Sequence, residues 1–233
     1  MLRLALVSLF LLNNGASAQS SLIGFEGATL ALDSTGAADL SASYLITAHH
    51  GLQLDASLEP ASGSLLASAA AHLYLIPETD RRYGAFVRFS DLDNGPIWAI
   101  EAGIEGVWER EDTTFGLRAG GGLARPGALD YIFASASWER GLSDAFTIAA
   151  SATVGEFDDA DISAIGTQAE VAINYQQPDT PFVVAVGYRV DALTGYDTRA
   201  SFFLAASYTF GQKPAFATAD PLAGLWSRGL VGN

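Results

Sequence analysis

The chain has 233 residues, 49% of them hydrophobic, a formal charge of −14 and no cysteine. A chain this acidic does not hold nucleic acid by neutralising phosphates. After the N-terminal segment no run approaches the ~18 apolar residues of a membrane-spanning helix, and without disulfides an exported fold must rest on its own hydrogen-bond network.

Residues 1–18 read as a secretory signal peptide. Arg3 supplies the positive start, an apolar run over 2–12 follows, and Ala16-Ser17-Ala18 fits the small-residue cleavage rule, so the mature chain is expected to begin at Gln19. Loss of Arg3 makes the remainder more acidic still.

About twelve strands are predicted next, near 22–32, 38–48, 50–59, 64–76, 82–91, 97–109, 113–124, 129–139, 144–156, 162–176, 181–191 and 197–210. Clusters of Gly, Pro, Asp, Asn and Ser separate them, and no sustained 3.6-residue period competes. The alternation is explicit in the sixth strand: Trp98, Ile100, Ala102, Ile104 and Trp108 share one face, while Glu101, Glu105 and Glu109 share the other. The tenth strand repeats it with Ile165, Val171, Ile173 and Tyr175 opposite Gln168, Glu170 and Asn174. The eleventh sets Phe182, Val184, Val186 and Tyr188 opposite Arg189 and Asp191. Because side chains change face at every residue, a slip of one would exchange the two sets entirely.

Four polar turns near 77–82, 109–113, 139–144 and 176–181 are bracketed by aromatic residues on the apolar face: Tyr83, Trp108, Phe115, Trp138, Phe146, Tyr175 and Phe182, with Phe210 closing the last strand. Rings that flank the turns at one end of a sheet and point outward make a membrane-interface girdle. The expected fold is therefore all-β: a transmembrane up-and-down antiparallel β-barrel over residues 19–211. A soluble sandwich also alternates, but it buries its apolar face and exposes a charged one. Here the non-apolar face is rich in Gly, Ala and Ser with scattered charges.

An even strand number puts both termini and the four bracketed turns on the periplasmic side. The opposite connections are short and leave no room for a long constriction loop. The last strand, Phe202-Phe203-Leu204-Ala205-Ala206-Ser207-Tyr208-Thr209-Phe210, resembles the terminal targeting strand of Gram-negative outer-membrane proteins, although 23 residues follow Phe210. That resemblance, to porin-like barrels as a class, implies the barrel-insertion machinery as a partner during biogenesis, outer-membrane lipids and lipopolysaccharide as surroundings, and the cell outer membrane as location.

With the aromatic face toward lipid, the other face lines a lumen. A charge filter is expected from Arg88, Glu101, Glu105, Arg118, Glu170, Arg189 and Arg199. Its charges either cross-brace the wall as ion pairs or set a transverse field across the bore. Gln53, Asp55, Glu59 and His72 are also read inward. Inward Ser and Gly residues, including Gly103, Gly120, Gly122 and Gly187, are expected to keep the bore open.

No catalytic group, metal site or cofactor is predicted. His72 and Ser68 share a face, yet lie about 13 Å apart along a strand, beyond hydrogen-bond reach. His49 and His50 are adjacent and point apart, and the acidic run at 156–161 lacks the Gly and closing Glu of an EF-hand loop. Residues 212–233, broken by Pro214 and Pro221, form a periplasmic tail that docks at the mouth, plugs the lumen or stays disordered.

The sequence thus points to a porin-like channel for passive diffusion of ions or small polar solutes, leaning toward cations. A structural or interaction barrel with a closed lumen is the alternative, and a lipid-modifying enzyme around His72 a weaker one.

Overall fold

The computed structural model describes residues 24–61, 64–93, 97–125, 129–158, 163–178 and 180–217. The predicted signal peptide, most of the acidic loop after Asp158 and the tail beyond Ala217 lie outside them.

The chain forms β1 (Phe25–Asp33), β2 (Ala38–Thr47), β3 (His50–Ala61), β4 (Ser64–Glu78), β5 (Arg81–Leu92), β6 (Trp98–Arg110), β7 (Thr113–Arg125), β8 (Leu129–Gly141), β9 (Phe146–Asp158), β10 (Ser163–Gln176), β11 (Phe182–Leu193) and β12 (Arg199–Gly211). Each strand pairs antiparallel with the next, and β1 pairs with β12 to close the barrel. This is the up-and-down, twelve-stranded architecture that the alternation predicts. Closure leaves no open edge. The seam runs from Gly27 opposite Gly211 to Asp33 opposite Ala205. Beyond it Gln212 donates its amide to the Glu26 carbonyl at 3.0 Å.

One rim, the turn end, carries the tight connections and both ends of the described chain. A two-residue hairpin joins β6 to β7 through Glu111 and Asp112, with Glu111 at φ 53°. Positive φ in a two-residue hairpin matches the twist of the flanking strands. The Thr113 hydroxyl donates to Asp112 at 3.1 Å, and that bond, with Arg140 nearby, holds the Asp112 carboxyl below its ordinary pKa. The other rim, the loop end, carries the remaining connections.

The apolar face looks outward. Ile104 is 69% exposed, Ile132 62% and Phe202 79%, and no second sheet covers them. A sandwich would have buried these side chains between sheets; a single closed sheet cannot. The buried atoms lie inside the barrel instead. Toward the loop end Leu66, Ala124, Leu129, Tyr131, Phe157 and Leu193 pack together within the bore. Toward the turn end a smaller group forms from Tyr74, Val107 and Phe216, with Ile76 and Ala215 against it.

Candidate functional site: the barrel lumen

Inward charges fall directly opposite one another because consecutive hairpins hold them in register. Arg88 on β5 faces Glu101 on β6, and Glu105 on β6 faces Arg118 on β7. Glu170 on β10 faces Arg189 on β11, and Asp191 on β11 faces Arg199 on β12. Directly opposed side chains stand within about 5 Å at Cβ, the separation an ion pair needs.

The resulting network is nearly dry in its centre. Arg118 reaches Glu105 at 3.0 Å, and the other Glu105 oxygen lies 2.5 Å from His72 Nδ1. His72 Nε2 lies 2.9 Å from Asp55. Asp55 also accepts from the Ser41 hydroxyl at 2.6 Å and from the Gln53 amide at 3.0 Å. With a carboxylate at each ring nitrogen, both nitrogens donate only in the imidazolium form. Nearer the loop end Arg88 Nη1 sits 3.4 Å from Glu101, which also accepts from the Tyr131 hydroxyl at 3.3 Å. His72 is fully buried, and Arg88, Glu101 and Glu105 nearly so. Leaving any of these charges unpaired in so little water is costly.

Of the seven charged residues expected in the filter, Arg88, Glu101, Glu105 and Arg118 belong to this buried network. Glu170 and Arg189 form a second, partly buried pair at 2.8 Å, and Arg199 is exposed near the loop rim. All seven are inward by strand parity.

The eight aromatic residues all stand on the outer face at the turn end. They meet across strands: Phe115 lies opposite both Trp108 and Trp138, and Phe146 opposite Tyr175. Trp108 donates its indole N–H to the Tyr83 hydroxyl at 3.0 Å, with the rings edge to face. A second outward set, Phe89 and Trp98 stacked at 6.3 Å and Tyr188 against Phe202 at 4.9 Å, lies further toward the loop end. The sequence places Trp98 and Tyr188 on the outer face, but outside the girdle, because these rings do not bracket turns.

Several of the inward glycines carry a ring from the neighbouring strand. In five cross-strand pairs the ring of an inward aromatic residue lies over the glycine opposite it: Gly51 with Tyr74, Gly103 with Phe86, Gly120 with Phe133, Gly122 with Tyr131 and Gly187 with Phe203. In each pair the ring folds over the glycine. A Cβ on Gly51 would come within 2.1 Å of Tyr74, on Gly122 within 2.5 Å of Tyr131, and on Gly187 within 2.2 Å of Phe203. Only a residue with no side chain admits a ring lying flat on the wall. The signal for this is in the sequence, as the pairing of inward glycines with aromatics, but reading it requires the register.

The described part of the tail enters the lumen. The Phe216 amide donates to Gln53 Oε1 at 3.1 Å, and the Phe216 carbonyl accepts from Gln53 Nε2 at 3.0 Å. Arg118 donates to the Ala217 carbonyl at 2.7 Å. The Phe216 ring stacks on His72 at 5.8 Å with 7° between planes, and meets the Tyr74 ring edge-on at 5.3 Å. Of the three places open to the tail, its first residues take the lumen.

A cavity of about 520 Å³ remains beside this filling. Its lining runs from Asp33, Ala37 and Asp39 near the loop rim to Glu109, Glu139 and Lys213 near the turn rim. It is acidic: Asp33, Asp39, Glu59, Glu105, Glu109, Glu139 and Glu170 against Arg118, Arg189 and Lys213.

His72 has no hydroxyl partner in this arrangement: both its ring nitrogens face carboxylates, while the Ser68 hydroxyl bonds to Ser90 at 2.9 Å. His49 and His50 turn apart, one ring toward the Ile76 carbonyl and the other toward Thr47.

The sequence matches no protein-family model and no curated protein. Solved structures do match. An outer-membrane channel from Pseudomonas putida F1 superposes with a TM-score of 0.58 at 11% identity, over 81% of this chain and 96% of that one. The fold is one shared with outer-membrane channels. A second match is the KdgM porin, solved in complex with disordered oligogalacturonate, with a TM-score of 0.51 at 10% identity over 79% of this chain and 98% of that one. At such identities the likeness is in the barrel, not in the residues that line it.

Proposed function

We propose that the protein is an outer-membrane channel through which ions and small polar solutes diffuse passively, with a modest preference for cations. The observation that carries this reading is the acidic cavity whose lining touches both rims. Acidic groups focus cations in a confined bore walled by low-dielectric material. Placement in a membrane rests on the outward face. Ten residues of β6 separate Trp98 from Trp108, about 34 Å along a strand. At a tilt of about 40° this spans about 26 Å of height, close to the apolar band of such barrels. In that placement the turn end faces the periplasm and the loop end faces lipopolysaccharide.

Reconstitution in planar bilayers tests the reading. Steady conductance steps, with a reversal potential in a salt gradient displaced toward the cation value, are expected; a folded barrel that passes no current would refute it. The rings and the tail that fill much of the bore favour a second reading, a closed barrel that serves the envelope structurally, and silence in that experiment is its signature.

A further inference from the structure

Inside the lumen, one residue of the chain's own tail is held by both its main chain and its ring. Gln53 pairs with both the N–H and the carbonyl of Phe216, which is how a carboxamide recognises one extended residue. Arg118 takes the next carbonyl, at Ala217. The ring enters a box of His72 and Tyr74, and Phe216 is left 4% exposed. These groups come from three strands, β3, β4 and β7, and Gln53 and His72 are fully buried. Asp55 holds the Gln53 amide from one side, so the carboxamide is oriented before any ligand arrives.

We propose that this is a recognition site for an aromatic residue with its flanking peptide bonds, that Phe216 fills it as a tethered plug, and that short peptides bearing an aromatic side chain compete for it. The selectivity follows from the groups present. The carboxamide and guanidinium read main chain and are indifferent to sequence, whereas the ring box accepts only a flat apolar side chain. The plug also borders the cavity, whose lining includes Pro214, Ala215, Phe216 and Ala217. Undocking it joins the volume it occupies to the conduit. The electrical consequences rest on the channel reading above; the docking itself does not.

Two measurements on the full-length chain separate the two. The protein has no cysteine, so Ser43→Cys, opposite Gln53 in the register, and Ala217→Cys can be joined by a short bifunctional thiol reagent. The cross-link should form in the folded barrel and fall sharply when Gln53→Ala and Phe216→Ala are added. Its absence from the parent pair would overturn the docking. In bilayers, Phe216→Ala and, separately, Gln53→Ala should raise conductance severalfold over the parent. N-acetyl-Pro-Ala-Phe-Ala-amide should then block Phe216→Ala, while the same peptide with Ala for Phe should not, and Gln53→Ala should abolish the block. Unchanged conductance in both variants, or block by both peptides alike, would overturn the plug and its specificity. Current from no variant, with the cross-link intact, would sink the channel reading and the plug's gating role while upholding the docking site.

Discussion

The ring of Phe203 lies over Gly187, its directly opposed partner on the neighbouring strand, so closely that a Cβ on the glycine would stand 2.2 Å from the ring. The same relationship recurs in four more cross-strand pairs around the bore. Aromatic residues that would otherwise project toward the axis fold against the wall wherever the next strand offers a bare backbone.

Gly187→Val should therefore displace the Phe203 ring and destabilise the barrel by about 1–3 kcal/mol, the usual cost of overpacking. Denaturant unfolding in detergent micelles measures this. Adding Phe203→Ala should recover part of the loss, since the clash goes with the ring; strictly additive losses would mean that the two residues do not interact.

Arg118 and Glu105 form a buried pair in which each charge depends on the other. Arg118→Met leaves Glu105 with His72 alone and should cost about 3–5 kcal/mol. Replacing both with Met should cost less than the single change, because the two charges removed cancel and His72 keeps Asp55 at its other nitrogen. The comparison of single and double variants by equilibrium unfolding decides whether the pair braces the wall.

On the outer face Ile104 is 69% exposed near the middle of β6. If that face meets hydrocarbon, Ile104→Lys should destabilise the barrel by about 2–4 kcal/mol in lipid bilayers. A neutral result in vesicles would argue that the face meets water instead.

Within the cavity the pair of Glu170 and Arg189 is partly buried, and Glu59 lines the same space. Glu170→Gln should leave Arg189 without its carboxylate and move the reversal potential toward the anion value. Arg189→Gln should move it the opposite way. Equal and unchanged potentials in the two variants would remove this pair from the selectivity mechanism.

Much of the molecule was legible from the linear chain. Period-two alternation is a local property, carried within each strand by residues such as Ile100, Glu101, Ala102 and Glu105. The strands and their two faces could therefore be read from it. Which inward groups meet was partly legible as well, since Arg88 with Glu101 and Glu105 with Arg118 come from consecutive hairpins. What only the tertiary structure decided is how the interior is filled. Tyr74 reaches Glu26 at 3.0 Å, and Phe216 reaches Gln53 across 163 positions of sequence. Such contacts depend on exact register and on closure of β1 against β12, which no local pattern encodes. A glycine opposite a ring and a glycine opposite a void look identical in one dimension; only the paired strand reveals which of them is covered.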